Sequence, residues 1–256
     1  YKDEGEMLTA FLDTIQDADI LTGWNSEGYD IPYIVNRIQK VLSKDDTRKL
    51  CLWKQLPKKR VFERFGREQE TYDLVGRVHL DSLELYRKYT YEERHSYRLD
   101  AIGEHELGEK KTVYEGSLDQ LYNQDFRTFV EYNRQDTVLI DKLDRKLKFI
   151  ALTNELAHAN TVLLQTTLGA VAVTEQAIIN EAHRRGVQVP NRPKRDSDST
   201  TAAGAYVAFP KKGLHNWIGS MDISSLYPSV IRALNMAPEC VMGQLRPTHT
   251  DEYIEE

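Results

Sequence analysis

The 256-residue sequence predicts a protein of the α/β (α+β) class, because helical and strand-like patterns alternate along it. The short apolar run "ILTGW" lies between two segments with helical spacing. Two alternating segments flank "FGRE", and a long amphipathic stretch follows later in the chain. Hydrophobic residues make up 40% of the sequence, which suffices for one large domain or two smaller ones.

The first predicted elements are a helix, a strand and a second helix. The first helix is indicated by apolar residues at helical spacing: Met7, Leu8, Phe11, Leu12 and Ile15. "ILTGW" follows as a short strand. In "NSEGYDIPYIVNRIQKVL", Asp30 is the candidate N-cap, Pro32 lies in the first turn, and an apolar stripe runs from Ile34 to Leu42.

The middle of the chain predicts a hairpin and two further helices. The hairpin is "KKRVFERFGREQETYDLV", with its turn at "FGRE", and an apolar-periodic run through Leu80 and Leu83 comes after it. A long amphipathic helix is predicted from Asp125 to about Ile150. Another is predicted from about Thr174 to Arg185, with Gly186 as a fitting C′ residue.

The last part of the chain begins with a boundary. "RPKRDSDSTTAAG" is polar and poor in apolar residues, which is typical of a linker between domains. After it, "NWIGSMDI" predicts a buried strand, and "SSLYPSVI" predicts the start of a helix.

Composition excludes several classes of protein. The 34 Lys and Arg against 40 Asp and Glu give a formal charge of −6, so an anionic partner has to be met by local clusters or metal ions. Cys51 and Cys240 lie far apart in sequence and outside any C-x-x-C spacing, which argues against a zinc site or a disulfide framework and favours a reducing compartment. Without a membrane-spanning run or signal peptide, we expect a cytoplasmic protein with no membrane partner. The first and last residues, "YKDEGEML" and "DEYIEE", predict a piece of a longer protein.

Asp136 lies at the centre of the apolar stripe of the long helix. Measured at about 100° per residue, the neighbouring apolar positions fall within roughly 60° of it, and the basic positions lie on the far side. The members of the apolar stripe are Phe129, Tyr132, Leu139, Ile140, Leu143, Leu147 and Ile150. A buried carboxylate needs a metal, a cation or several donors. An internal salt bridge or hydrogen bond satisfies this need as well as a metal does.

Asp30 and Asn25 lie in a loop between a predicted strand and helix. Such loops at the carboxyl ends of strands are where α/β sheets gather ligands. An ordinary N-cap role explains Asp30 equally well.

Asp222 follows a predicted buried strand and precedes a helix with Pro228 in its first turn. A carboxylate there can hold a divalent cation, while N–H groups of the turn take phosphate oxygens. The alternative is an Asp that caps the next turn through Ser224 or Ser225.

Three motifs in order resemble those of family B DNA polymerases. "DISSLYPSVI" is similar to motif A, D-x-x-S-L-Y-P-S-[IV]-I. "NSEGYD" fits the second exonuclease motif, N-x-x-x-[FY]-D, and "YNRQD" fits the third, Y-x-x-x-D. The segments around them resemble the replicative polymerases of T-even-type bacteriophages. The phage resemblance would place the protein in the cytoplasm of a host cell.

The resemblance implies an RNase H-like 3′ to 5′ exonuclease with two divalent ions. Asp136 would ligate the ion that activates water, and Asp30 would hold the second. Tyr132 would orient the water or the scissile phosphate. Asn25 and Tyr29 would line the single-stranded 3′ end of the primer.

The resemblance also implies a polymerase palm that begins near motif A. Asp222 would bridge both catalytic ions, with the carbonyl of Ile223 as a further ligand. The N–H groups of Ser225, Leu226 and Tyr227 would hold the triphosphate. Two Mg²⁺ ions per active site are expected, with Mn²⁺ as a substitute. The expected partners are primer-template DNA, dNTPs and a sliding clamp bound through a C-terminal region outside the chain.

The implied domain organisation has three parts. Residues 1–150 would form the exonuclease domain without its N-terminal strands, residues 151–195 a segment that packs on an N-terminal domain, and residues 196–256 the start of the palm. The first exonuclease motif is expected upstream of Tyr1 and the remaining palm motifs downstream of Glu256. We therefore expect the isolated chain to be inactive. A free-standing exonuclease and a metal-free RNase H-like binding module are the alternatives.

The hairpin, the segment "AAGA" and two basic clusters are further candidates for contact with DNA. The hairpin resembles one that helps to separate primer from template. The family element Y-x-G-[GA] appears as "AAGA" from Ala202 to Ala205, without its aromatic residue. The basic clusters at residues 58–60 and 192–195 are interpreted as solvated faces, with contact to phosphates as the alternative.

Overall fold

A computed structural model describes residues 1–64, 67–109, 116–191, 204–237, 240, 242 and 243. The chain divides into two compact units, Tyr1–Arg192 and Pro193–Glu256. The prediction for Ala202 and that for the basic segment at 192–195 lie outside the described residues. None of the described helices combines the length and apolar character needed to cross a membrane.

The first unit contains helices and short strands in mixed order. In chain order its elements are α1 (Glu4–Thr14), β1 (Ile20–Gly23), α2 (Asp30–Val41), a 3₁₀ helix (Asp45–Leu50), β2 (Lys58–Arg64), β3 (Arg67–Asp73), β4 (Val78–Asp81), α3 (Ser82–Tyr89), α4 (Leu99–Leu107), α5 (Leu118–Gln124), α6 (Phe126–Leu147), α7 (Phe149–Asn160), a second 3₁₀ helix (Leu164–Leu168) and α8 (Ala170–Arg184). The mixture confirms the predicted fold class.

β1 and β4 form a parallel pair that positions the loop after β1. Ile20 lies opposite Val78, and Gly23 lies opposite Asp81. Because the strands are parallel, their carboxyl ends lie side by side, and the chain segments that follow both strands start at this edge. The apolar run at Leu80 did not distinguish this strand from the helix that follows it.

The predicted hairpin is confirmed. β2 and β3 pair in antiparallel fashion, with Lys58 opposite Asp73 and Arg60 opposite Thr71. At its base, the Lys59 ammonium lies 2.6 Å from the Glu70 carboxylate. The Lys59 side chain is 50% exposed, which agrees with a solvated face at this residue, whereas Arg60 of the same cluster pairs with Glu27 and Asp73.

Two hydrophobic clusters form the core of the first unit. The first joins α1, α2, the 3₁₀ segment and the end of the hairpin; its buried members are Leu8, Leu12, Ile15, Ile31, Val35, Ile38, Leu50, Cys51 and Leu74. The second joins α3, α4 and α6; its buried members are Tyr86, Leu99, Ile102, Leu139 and Leu143. Each fully buried aliphatic side chain of this kind contributes about 1.5–3 kcal/mol relative to an exposed one.

A buried arginine connects segments that are distant in sequence. Arg77 is 2% exposed, and its guanidinium donates to the carbonyl oxygens of Leu50 and Ile15 at 3.1 and 2.5 Å. It also donates to the carbonyl of Ala18. These bonds fix the end of α1, the 3₁₀ segment and the start of β4 relative to one another.

The long amphipathic helix predicted up to Ile150 is wrong in its extent. α6 ends at Leu147, Lys148 has φ 55° and ψ 35°, and α7 begins at the next residue. A left-handed residue interrupts the helical hydrogen-bond series. The apolar pattern continues across the break, so the periodicity did not locate it, and Ile150 belongs to α7. The end of α8 was predicted correctly, with Gly186 at φ 71°.

In the second unit the structure assigns one helix, α9 (Leu226–Ala233), among the described residues. The buried strand predicted at "NWIGSMDI" is wrong, because residues 216–223 form no strand and are exposed. A strand is stable only when a neighbouring strand takes its backbone hydrogen bonds. The described part of this unit contains no such neighbour.

Candidate active site

The loop between β1 and α2 presents three of the predicted site residues at the surface. Asn25, Tyr29 and Asp30 are all exposed. Asn25 has a left-handed backbone, with φ 59°. The rings of Tyr29 and Tyr33 are stacked, with centroids 5.9 Å apart. Exposed polar and aromatic side chains beside a helix N-terminus are available to a ligand.

Asp30 is the first residue of α2 and not its N-cap, so the prediction of an N-cap is wrong. The N–H of Tyr33 donates to the carbonyl of Tyr29 at 3.0 Å, which makes Tyr29 the N-cap. A carboxylate in the first turn interacts favourably with the helix dipole. Although the side chain reaches the surface, desolvation by the surrounding protein raises the pKa of Asp30, and a bond from its own backbone N–H opposes this shift.

Asp81, at the end of β4, holds the loop from the neighbouring strand. Its Oδ1 accepts the N–H of Asn25 at 2.9 Å and that of Leu83 at 3.0 Å, and its Oδ2 accepts the N–H of Glu27 at 3.0 Å. The side chain is buried, and desolvation raises the pKa of Asp81, while the three backbone donors act in the opposite direction. This one carboxylate therefore caps α3 and fixes the backbone on either side of Ser26.

Ser26 is buried at the centre of the same loop. Its Oγ lies 2.9 Å from Nε2 of His79, and its carbonyl accepts the N–H of Ile31 at 2.9 Å. A Cβ atom on Gly23 would come within 2.8 Å of the Cβ of Ser26, so this close turn requires glycine. Desolvation lowers the pKa of His79.

The hairpin contacts the loop from another side. The hydroxyl of Thr71, which is buried, donates to the carbonyl of Glu27 at 2.8 Å. Arg60 forms an ion pair with the carboxylate of Glu27 and lies 3.1 Å from Asp73. Glu27 is therefore bound through its N–H, its carbonyl and its side chain.

Sequence reasoning did not single out Asp81, Thr71 or His79. For Asp81 the available signal was an Asp directly before "SLEL", which is typical of an N-cap. Sequence alone offers no comparable signal for Thr71, since its contact depends on where the hairpin packs.

The other two predicted exonuclease residues lie on α6. Asp136 is half-buried, and its Oδ1 atom is fully buried. Tyr132, one turn earlier, is also half-buried. Leu139 and Leu143 are buried below them, so the predicted apolar stripe around Asp136 is confirmed within α6.

Asp30 and Asp136 belong to helices that pack in different hydrophobic clusters. α2 packs in the first cluster and α6 in the second. Trp24, in the loop that carries Asn25, packs against the second cluster and donates its indole N–H to the carbonyl of Tyr97 at 3.0 Å. The loop thus contacts the second cluster, while α2, which follows it, packs in the first.

Carboxylates are the oxygen ligands that Mg²⁺ prefers. Within the described ranges, however, no group of three or more His, Cys, Asp and Glu side chains is placed to hold a metal ion. The donor type fits a divalent ion, but these residues do not form a complete site by themselves.

The predicted residues of motif A lie in the second unit. Asp222 and Ile223 are exposed, and Ser225 is the N-cap of α9, with φ 51° and no side-chain cap bond. Leu226 and Tyr227 are the first residues of α9, and Tyr227 is 76% exposed. The first N–H groups of a helix have no intrahelical acceptor, so they are available to an anion.

Comparisons with known proteins identify the family. A family model described as the exonuclease domain of DNA polymerase family B matches residues 1–102, and one described as DNA polymerase family B matches residues 161–255. The chain belongs to the family B DNA polymerases. The first match includes "NSEGYD" and the second includes "DISSLYPSVI", whereas "YNRQD" lies between the two matched ranges.

Curated relatives of this family B chain include DNA polymerases of phages and of a mammal. The DNA-directed DNA polymerase of Escherichia phage RB69 is 29% identical over 256 residues, which cover 99% of this chain and 28% of the relative. That of Enterobacteria phage T4 is 27% identical, with the same coverage of each chain. The DNA polymerase delta catalytic subunit of Bos taurus is 31% identical over 263 residues, 96% of this chain and 23% of the relative. The chain thus spans about 28% of the length of its phage relatives.

The order of the two matches confirms the predicted resemblance, with a family B exonuclease region followed by a polymerase region. The mixed helices and strands are consistent with the α/β, RNase H-like fold predicted for the exonuclease. The roles of the individual site residues stay predictions.

Proposed function

We propose that this chain is part of a DNA-directed DNA polymerase that also removes mispaired 3′ ends by 3′ to 5′ exonuclease activity. The observation that carries the proposal is the succession of an exonuclease match and a polymerase match in one chain. Residues 1–150 serve the exonuclease, 151–195 form a segment that packs on an N-terminal domain, and 196–256 begin the palm. Primer-template DNA, the single-stranded 3′ end and dNTPs are the ligands that such an enzyme binds.

In the proposed exonuclease, Asn25 and Tyr29 contact the single-stranded 3′ end. The exposure of both side chains on a loop with fixed backbone supports this role. Tyr132 orients the attacked phosphate, and Asp30 and Asp136 are the carboxylates that hold divalent ions. Mg²⁺ ions, when bound in pairs, stabilise negative charge on the attacking and leaving oxygens.

In the proposed palm, Asp222 and the carbonyl of Ile223 face the divalent ions of the triphosphate. The N–H groups of Ser225, Leu226 and Tyr227 bind its phosphate oxygens. Their place at the start of α9 supports this role, because helix N-termini favour anions.

A free-standing exonuclease is disfavoured, since such an enzyme does not need the polymerase region matched at residues 161–255. A metal-free binding module stays the second candidate, because the described residues do not bring three metal ligands together. Calorimetric titration of the longer protein with Mn²⁺ distinguishes the two candidates, because a metal-dependent enzyme binds the ion and a metal-free module does not.

The test uses the longer protein encoded around this chain. Asp136→Ala should lower exonuclease activity by several orders of magnitude and leave primer extension nearly intact, while Asp222→Ala should do the reverse. Asp141→Ala is the matched control, because Asp141 is exposed on α6 and pairs with Arg145. Equal loss of both activities in a folded Asp136→Ala variant would contradict the assignment of two separate sites.

The isolated 256-residue chain should show almost no catalysis. Its described residues supply too few grouped carboxylates for a metal site. Incubation with Mg²⁺ or Mn²⁺ and a labelled primer checks this expectation. Digestion abolished by Asp136→Ala, or extension abolished by Asp222→Ala, would show that the chain completes its sites unaided.

A further inference from the structure

The loop between β1 and α2, residues 24–29, is called the site loop. It exposes the side chains of Asn25 and Tyr29, but its backbone is held by hydrogen bonds at several points. Asp81 binds the N–H groups of Asn25 and Glu27 from β4. The carbonyl of Ser26 binds the N–H of Ile31, which connects the loop to the first turn of α2. A displacement of the loop backbone therefore changes the positions of both Asn25 and Asp30.

Glu27 is the point at which the hairpin meets this loop. The hydroxyl of Thr71 donates to its carbonyl at 2.8 Å, and Thr71 is 1% exposed. Arg60, directly opposite Thr71 in the hairpin register, pairs with the carboxylate of Glu27. Two side chains from paired positions of β2 and β3 thus bind one loop residue.

The two contacts differ in strength. The Arg60 and Glu27 side chains are 44% and 28% exposed, so solvent screens their ion pair. The bond from Thr71 is buried, where the loss of a donor leaves a carbonyl unsatisfied. Thr71 is therefore the stronger connection between hairpin and loop.

We propose that Thr71 is a positioning residue for the exonuclease site, acting through Glu27 to hold Asn25 and Asp30 in place. It couples the hairpin to the site loop, so the loop has its working geometry only when the base of the hairpin is packed against it. The effect on DNA cleavage rests on the proposed function. The coupling between the hairpin and the loop does not depend on that function.

The first test measures the coupling without DNA. Hydrogen exchange of residues 24–30 is followed by mass spectrometry in the 256-residue chain, for the wild type and for Thr71→Val, Thr71→Ser and Thr47→Val. Thr71→Val keeps the branched shape but removes the donor, and should accelerate exchange of this segment about twofold to tenfold, the size expected for one net hydrogen bond.

Thr71→Ser separates hydrogen bonding from packing. Serine keeps the hydroxyl and loses a methyl group, so it should remain close to the wild type if the bond matters, and should be the worse variant if packing matters. Thr47→Val is the matched control, because Thr47 is equally buried and its hydroxyl donates at 2.6 Å to the carbonyl of Lys44, the N-cap of its own 3₁₀ helix. It should leave residues 24–30 unchanged. Wild-type exchange in Thr71→Val, a larger effect of Thr71→Ser than of Thr71→Val, or an equal effect of Thr47→Val would overturn the proposal.

The second test measures digestion of a single-stranded oligonucleotide by the longer protein. Thr71→Val should lower kcat about twofold to tenfold with little change in KM, and Thr71→Ser should restore kcat, while primer extension stays at the wild-type rate. An unchanged kcat in Thr71→Val, together with faster loop exchange, would overturn the role in positioning for catalysis. Absence of digestion by the wild type would instead refute the proposed exonuclease function, and the exchange experiment would still decide whether Thr71 couples hairpin and loop.

Discussion

His79 makes the stability of the first unit depend on pH. Its ring is half-buried beside Ser26, and desolvation lowers its pKa, with the charge of Glu27 opposing and that of Arg60 adding to the shift. Between the lowered pKa of the folded state and the ordinary value of the unfolded state, His79 is therefore protonated in the unfolded state and neutral in the folded state. The stabilisation is present above pH 6.5, the ordinary value, and is lost as the pH falls below it toward the depressed folded pKa.

We expect His79→Gln to weaken this dependence. Urea denaturation between pH 7.5 and 5.5 should show a smaller fall in the free energy of unfolding for the variant than for the wild type. His105→Gln, at a side chain that is 52% exposed, serves as the control and should keep the wild-type slope. An identical slope in His79→Gln would exclude His79 as the group responsible.

Asp81→Asn tests the anchor of the site loop. Asparagine keeps the size but offers one acceptor oxygen, so one of the three N–H donors loses its partner and faces an NH₂ group. We expect the free energy of unfolding to fall by about 1–3 kcal/mol. Asp125→Asn is the control, because Asp125 is an exposed N-cap, a position where Asn is equally suitable. Similar losses in both variants would show that the three buried bonds carry no special weight.

At this scale, Asp136 was predictable from sequence and Thr71 was not. A helix of 22 residues displays its buried face in its own period, so the position of Asp136 follows from its neighbours. The bonds from Thr71 and Asp81 to the site loop join positions 44 and 54 residues apart. Such contacts depend on which strands pair, and local pattern does not contain that information.

Among the elements, the break between α6 and α7 has a testable energetic signature. Lys148 adopts a left-handed conformation that costs a non-glycine residue roughly 1–2 kcal/mol. Lys148→Gly should raise the free energy of unfolding by about 0.5–1 kcal/mol, since glycine removes this strain but gains freedom in the unfolded chain.

Arg145→Gly is the matched comparison, three residues earlier in the helical part of α6. There the same substitution should destabilise by about 1 kcal/mol, because glycine is a poor helix former. Denaturation curves of the two variants should therefore shift in opposite directions. If the unfolding midpoints of both variants move to lower denaturant concentration, the backbone of Lys148 is not strained.

Elements were predicted correctly where the information that defines them lies within a short segment of the sequence. The hairpin was predicted because both strands flank a turn, and α8 was predicted because Gly186 marks its end. "NWIGSMDI" failed because its apolar residues indicate burial without specifying a partner strand. Trp217 within it is fully exposed, with φ 60°.

For the whole molecule, the two units should differ in protection of their backbone amides. The described residues of the second unit are exposed almost throughout, and α9 has eight residues, which is too short for a stable isolated helix. Amides of α9 should exchange orders of magnitude faster than those around Leu139 in α6. Slow exchange in α9 would show that this helix is buried against a surface in solution.

The parallel pairing of β1 with β4 has a consequence for the growing chain. Synthesis proceeds from the N-terminus, so the site loop is synthesised before Thr71 and Asp81, which follow Glu27 by 44 and 54 residues. At roughly 5–20 residues per second, the interval is on the order of several seconds. During that time Asn25 and Asp30 have no fixed arrangement, because the bonds that define it come from later residues. Nascent chains arrested before residue 71 should therefore carry the motif "NSEGYD" without its geometry, and the site loop is among the last features of this region to form.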